Sequence, residues 1–246
     1  MKILIIQNNP NKNKFENFEK FKNILKNINF EIDFVVLPEL WTTGYHLEPY
    51  DVQSEYENSE IILEISKLSR EKKVYILAGS LFYKENGNYY NRSFLFNRKG
   101  EIVGYYSKMK LFKPLNEHII FKPGEKIGVF ETEFGKIGVM ICYDLRFPEI
   151  ARKITFEGAR IIFVPSEWPL VRIEHFKTLI KARAIENQLF VVGINRYGNE
   201  FGGNSLVVSP RGEIIIDMGM GEKFALVAID LNEVDNYRKE FPVIND

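Results

Sequence analysis

Three features of this sequence predict an α/β fold. Short apolar runs alternate with helical patterns through residues 2–78, the βαβα order that builds sheets covered by helices. Residues 79–106 then change to antiparallel-strand patterning, with turn signals at Glu85-Asn86-Gly87-Asn88 and Asn97-Arg98-Lys99-Gly100. A similar hairpin segment returns late. Asn91-Arg92-Ser93 leads to Arg98-Lys99-Gly100-Glu101-Ile102, and Asn204-Ser205-Leu206 leads to Pro210-Arg211-Gly212-Glu213-Ile214. The pair reads either as two ordinary hairpins or as two matching halves of one fold.

Each element has its own warrant. Lys2-Ile3-Leu4-Ile5-Ile6-Gln7 reads as a first strand. Residues 14–28 carry Phe15, Phe18, Phe21, Ile24, Leu25 and Ile28 at a helical period. The strand at 33–37 leads to Pro38-Glu39. Residues 58–71 read as a helix with Ile61, Ile62, Ile65 and Leu68 on one side, and Val74-Tyr75-Ile76-Leu77-Ala78 as the strand after it. Two or three antiparallel strands fill 79–106. The apolar run Lys136-Ile137-Gly138-Val139-Met140-Ile141-Cys142 reads as a buried strand. A sharp turn follows it, and then a helix with Pro148 near its first turn.

Composition bounds the function. The chain of 246 residues shows no linker and no block of like charge, so we expect a single domain over residues 1–246. The apolar fraction of 45% supports a sizeable core. Lys plus Arg equals Asp plus Glu at 33 each, which argues against a nucleic-acid or polybasic membrane surface. One cysteine excludes an intramolecular disulfide framework and fits a reducing compartment. The apolar run at the N-terminus is too short for a signal peptide, and no run reaches transmembrane length. We therefore expect a soluble, cytoplasmic protein.

Three polar residues stand where apolar strands end: Glu39, Lys108 after Glu101-Ile102-Val103-Gly104-Tyr105-Tyr106-Ser107, and Cys142. Taken singly, each has an ordinary reading: a solvated loop carboxylate, a surface charge, a small buried hydrophobe. Together they are a carboxylate, an amine and a thiol at strand exits, where α/β enzymes build their sites. A thiol at the start of a helix also meets backbone N–H groups, which would favour its thiolate. The histidines His46, His118 and His175 form no metal-ligand pair, and no Walker or dinucleotide glycine motif is present.

The chain resembles the carbon–nitrogen hydrolase (nitrilase) superfamily. The resemblance rests on Leu37-Pro38-Glu39-Leu40-Trp41-Thr42-Thr43-Gly44-Tyr45, on Tyr106-Ser107-Lys108-Met109-Lys110-Leu111-Phe112, and on Gly138 through Cys142-Tyr143-Asp144-Leu145-Arg146-Phe147-Pro148-Glu149. It continues through Ala182-Arg183-Ala184-Ile185-Glu186-Asn187-Gln188 and Gly193-Ile194-Asn195-Arg196, and so covers nearly the whole chain. It implies a four-layer αββα sandwich with two mixed sheets, a Glu39–Lys108–Cys142 triad, no cofactor or metal, and a homo-oligomer, dimer or higher. The family pattern Lys-x-His-Leu-Phe falls on Lys108 rather than on Lys110 or Lys113, and Lys110 takes the usual His position. The resemblance also points to Glu117 as a second carboxylate near Lys108.

Amide hydrolysis requires a base for the thiol, donors for the oxyanion and an acid for the leaving amine. Glu39 would be base and then acid, Lys108 would meet the oxyanion, and the backbone N–H of Tyr143 is a second donor. After the thiol, Tyr143-Asp144-Leu145-Arg146-Phe147-Pro148 resembles the amidase branch acting on ω-amides of dicarboxylic acids. Glu167-Trp168-Pro169-Leu170-Val171-Arg172 with His175-Phe176 resembles the 2-oxoglutaramate type. An arginine suits the distal carboxylate of such a substrate, with Arg172 first and Arg146 second, and Trp41, Tyr45 and Trp168 could wall the pocket. The alternatives are a nitrilase or N-carbamoyl amine hydrolase with the same triad, or a silent scaffold of the same fold.

Overall fold

The computed structural model describes residues 1–198 and 200–244. In chain order the first half comprises β1 (Lys2–Gln7), α1 (Lys14–Asn27), β2 (Phe34–Val36), α2 (Tyr50–Gln53), α3 (Glu60–Lys72), β3 (Tyr75–Leu77), β4 (Leu81–Glu85), β5 (Asn88–Phe96), β6 (Ile102–Ser107) and α4 (Glu117–Ile120). The second comprises β7 (Gly128–Thr132), β8 (Gly135–Val139), α5 (Pro148–Phe156), β9 (Ile161–Ser166), α6 (Ile173–Asn187), β10 (Phe190–Asn195), a small ribbon of β11 (Tyr197–Gly198) and β12 (Phe201–Gly202), then β13 (Leu206–Val208), β14 (Ile214–Asp217), β15 (Lys223–Ala228) and α7 (Asn232–Glu240).

The two halves build matching sheets. In the first, β1, β2 and β3 run parallel, β5 pairs antiparallel with β3 and with β6, and β15 closes the far edge antiparallel to β1. In the second, β8, β9 and β10 run parallel, β13 pairs antiparallel with β10 and with β14, and β7 closes the edge antiparallel to β8. The two late-and-early hairpins of the sequence are thus equivalent members of two halves.

Strand alternation then sets the layers. Ile3, Ile5, Phe34 and Val36 face Ile137, Val139, Ile161 and Phe163 across the space between the sheets. Leu4, Ile6, Val35 and Leu37 turn outward under Phe18, Phe21, Ile61 and Ile65 of α1 and α3. On the other side Ile162, Val164 and Val191 meet Ile154, Phe176 and Ile180 of α5 and α6. Strands buried on both faces are near-continuously apolar, which is why these runs lack polar alternation. The result is the four-layer αββα sandwich, with two mixed sheets inside. Gly138 on β8 is part of its packing, because a Cβ there would lie 2.3 Å from Ile154 Cγ2.

The sequence reading needs adjustment in three places. The strand expected to run to Cys142 ends at Val139, and Cys142 instead opens a 3-10 turn over Cys142–Arg146. Phe15 lies on the exposed side of α1, since the buried stripe is set by Phe18, Phe21 and Leu25. Trp41 does not wall a pocket. It is fully buried beneath α1, edge-on to Phe21, with its indole N–H on the Ala78 carbonyl.

Candidate active site

Three loops deliver the candidate residues to one place. Glu39 stands just past β2, Lys108 just past β6 and Cys142 just past β8. Glu39 and Lys108 are essentially inaccessible to solvent, whereas Cys142 is half-buried. Lys108 Nζ donates to Glu39 Oε1 at 2.7 Å and to Glu117 Oε1 at 2.7 Å. Glu117, at the start of α4, also accepts from the Phe112 N–H and from the Tyr45 hydroxyl. Asn91 Nδ2 and the Glu167 N–H complete the shell of Glu39.

The turn that opens at Cys142 is strained and pinned. Cys142 has φ of +44°, a conformation that L residues rarely hold unless their surroundings enforce it. Asp144 supplies the enforcement. Its Oδ2 accepts from the Ile141 N–H at 2.9 Å and the Tyr106 hydroxyl at 2.7 Å, and its Oδ1 accepts from the Lys110 N–H at 2.8 Å. One carboxylate thus ties the thiol's turn to the segment that carries Lys108. Burial pushes the Asp144 carboxyl up to about 6, against the pull of those donors.

The electrostatics overturn one expectation. A turn at a helix start was expected to favour the thiolate. Instead burial and the adjacent Glu39 carboxylate push the Cys142 thiol well above its ordinary value, and Lys108 only partly opposes them. Lys108 is already committed to two carboxylates. Burial alone would weaken its hold on a proton, but Glu39 and Glu117 reverse that and raise it well above its ordinary value. Burial and Glu39 thus favour the protonated thiol, and Glu39 with Glu117 favours the ammonium of Lys108.

A cavity of about 120 Å³ opens over Cys142. Tyr45, Tyr143, Trp168 and Arg172 line it, as does Arg146. The Tyr143 ring is packed between Phe112 and Phe147, at 4.9 and 5.3 Å. The Arg146 guanidinium lies 4.8 Å over the Trp168 ring, with Nη2 3.4 Å from His175 Nδ1. Trp168 is anchored by its indole N–H on the Arg172 carbonyl at 2.8 Å. Lys110 stays out of the cluster, with its ammonium 4.8 Å over the Phe147 ring. Among the described residues no group of three or more His, Cys, Asp or Glu is placed to hold a metal ion.

Sequence reasoning missed a further buried pair. Glu167 lines the cavity, and both of its oxygens accept from Arg196 Nη1, at 3.1 and 3.0 Å. Burial pushes its carboxyl up to about 8, with Arg196 opposing and Glu39 adding to the rise. The signal was present, because Glu167 follows an apolar strand as Glu39 does. Gly44 makes room for the pair, since a Cβ there would lie 2.8 Å from Arg196 Nη1.

Comparison with known proteins adds the following. The carbon-nitrogen hydrolase family model matches residues 2–239. The 2-oxoglutaramate amidase of Bacillus subtilis (strain 168) is 38% identical over 235 residues, covering 94% of this chain and 91% of that protein. Omega-amidase YafV of Escherichia coli (strain B / BL21-DE3) is 30% identical over 220 residues, covering 87% and 84%. Among solved structures, a CN-hydrolase superfamily protein from Xanthomonas campestris, with an arsenic adduct in its active site, superposes with a TM-score of 0.94. It is 26% identical and covers 100% of this chain and 96% of that one. Saccharomyces cerevisiae Nit3, a member of branch 10 of the nitrilase superfamily, superposes with a TM-score of 0.89 at 28% identity, covering 99% and 94%.

Proposed function

This chain belongs to the carbon–nitrogen hydrolase family, and we propose that it is a thiol amidohydrolase that needs no cofactor. Its substrate is a small ω-amide of a dicarboxylic acid, of the 2-oxoglutaramate kind, and its products are the carboxylate and ammonia. The observation that carries this reading is the meeting of Glu39, Lys108 and Cys142 at a cavity that two arginines also line.

The chemistry follows from the resting charges. Because the thiol is protonated at rest, its proton must leave as sulfur attacks the amide carbon, and Glu39 is the base beside it. An ammonium has three donors. Lys108 gives two to Glu39 and Glu117, which leaves the third for the oxyanion. The Tyr143 N–H is the second donor in this scheme. Glu39 then returns the proton to the departing nitrogen, the C–N bond breaks and ammonia leaves. A water attacks the thioester with Glu39 again as base, which frees the carboxylate and restores the thiol. Glu117 holds Lys108 in place, and Tyr45 holds Glu117.

At the other end of the substrate, Arg172 binds the distal carboxylate while Tyr45, Tyr143 and Trp168 wall the chain. Arg146 is the weaker candidate, because its guanidinium is already stacked on Trp168 and set against His175. The 2-oxoglutaramate amidase and omega-amidase names of the relatives support this substrate class. A single domain, a cytoplasmic location and self-association complete the proposal.

Ammonia release from 2-oxoglutaramate and succinamate, measured beside neutral amides and nitriles of equal length, tests the reading. The carboxylate-bearing amides should be the best substrates. Arg172→Ala should raise KM for them by about ten- to a hundredfold, the worth of one charge-assisted contact of roughly 1.5–3 kcal/mol, with little change for the neutral amide. If both substrates suffer alike, Arg172 is structural. If nitriles or N-carbamoyl amines are preferred outright, the substrate class falls while the thiol-hydrolase reading survives.

A further inference from the structure

Glu39 accepts three hydrogen bonds, and they are unequally shared between its oxygens. Oε1 takes Lys108 Nζ at 2.7 Å and Asn91 Nδ2 at 2.8 Å, whereas Oε2 takes the Glu167 N–H at 2.9 Å. A carboxylate offers about four lone-pair sites over its two oxygens. Oε1 is therefore filled, and Oε2 keeps one site.

Asn91 has a double hold on this arrangement. It lies on β5 with no exposed surface, and besides its side-chain bond its carbonyl accepts the Lys108 N–H at 2.9 Å. Its amide orientation is forced, because an ionised carboxylate can only accept, so the NH2 must face it. Its Oδ1 is buried without a partner among the described residues. An orphaned buried acceptor costs stability, so packing alone would be better served by an apolar side chain. What an amide supplies here is the donor aimed at Glu39.

We propose that Asn91 is a positioning residue for amide cleavage: with Lys108 it fills Oε1 and so leaves the open site of Oε2 as the acceptor for the Cys142 proton. This rests on Glu39 being the base. The charged and titratable groups facing Glu39 are Lys108 from the end of β6, Cys142 from the nucleophile turn, Tyr45 from the loop after β2 and Glu167 from the end of β9, with Glu117 beyond Lys108. Asn91 is the uncharged member of that shell, so it can be replaced without removing a charge.

Asn91→Leu keeps the bulk and removes the donor. kcat should fall about ten- to a hundredfold, the scale of a misplaced reacting group, with KM within about twofold. The acidic limb of kcat/KM against pH should move up, because a carboxylate stripped of a donor holds its proton more tightly. Asn91→Asp changes one group and supplies a donor only while protonated. It should lose activity as pH rises, and so displace the profile in the opposite sense. Should the leucine variant fail to fold, the aspartate variant decides. Activity lost with neither limb displaced would overturn the proposal and make Asn91 structural, as would full activity in either variant. Glu39→Gln separates the two levels. If it hydrolyses amides, the base reading falls and this proposal with it. If it is inactive while the Asn91 variants keep the native profile, only the proposal falls.

Discussion

Strands β2 and β9 hold equivalent places in the two sheets, and each is followed by a buried glutamate, Glu39 against Lys108 and Glu167 at the cavity wall. Their carboxylates are nevertheless held differently. Glu39 takes donors from three separate places, Lys108, Asn91 and the backbone of Glu167. Glu167 has one guanidinium nitrogen shared between both oxygens, and burial drives its carboxyl up to about 8. The difference teaches that a pseudo-symmetric frame supplies positions, while the donors around a position decide its chemistry. One glutamate is the proposed acceptor of a proton during turnover. The other tends to keep the proton it has.

The comparison breaks or sharpens first at the largest effects. Cys142→Ala should remove amide hydrolysis, a loss on the order of 10⁴-fold or more, and Glu39→Gln should be nearly as damaging. Glu167→Gln keeps shape and hydrogen-bonding capacity, and should cost less than about tenfold. Steady-state ammonia release reads all three. Equal losses for the two glutamines would mean that both carboxylates work in the reaction and that the distinction drawn from their donors is wrong.

A second, smaller contrast lies between two lysines two residues apart. Lys108→Ala should cost about a hundredfold or more in kcat, the scale of one lost oxyanion donor. Lys110→Ala removes an ammonium that lies over Phe147, and should leave kcat within a few-fold. Parity between them would move the oxyanion contact away from Lys108.

The smallest effect is on stability. With the Glu167 carboxyl raised from 4.5 to about 8, the folded protein holds a proton that the unfolded chain releases. That contribution is complete below pH 4.5 and is lost as pH climbs towards 8. Asp144, raised from 3.8 to about 6, acts in the same sense over a lower window. The melting temperature should therefore drop by a few degrees between about pH 6 and pH 8.5, and Glu167→Gln should flatten that drop. A melting temperature that stays level over the interval would show that the folded protein holds no extra proton on Glu167.

Much of this was legible in local sequence. Glu39, Lys108 and Cys142 each close an apolar run; the α/β alternation pointed to the fold class, the repeated hairpin left two readings open, and the family resemblance implied the two sheets. What could not be read was the sum of distant neighbours. The sign of the thiol's perturbation depends on burial and on Glu39, a residue over a hundred positions earlier in the chain, so a helix-start argument gave the wrong direction. Trp41 and Trp168 look alike as aromatic residues near motifs, and only packing assigns one to the core beneath α1 and the other to the cavity. Glu167 and Arg196 meet because β9 and β10 pair in parallel with Ser166 opposite Asn195, a register that no local pattern states. Asn91 stood in the repeated hairpin, but its bond to Glu39 spans 52 positions.

The bond from the Glu167 backbone to Glu39 joins the exit of one sheet to the exit of the other. Glu39, Lys108 and Asn91 come from the first half of the chain, and Cys142 and Glu167 from the second. Neither half would by itself contain the complete set of residues proposed to react. On that proposal turnover reports assembly: hydrolysis should begin only once the two sheets have docked face to face, and a chain with one finished sheet should have none.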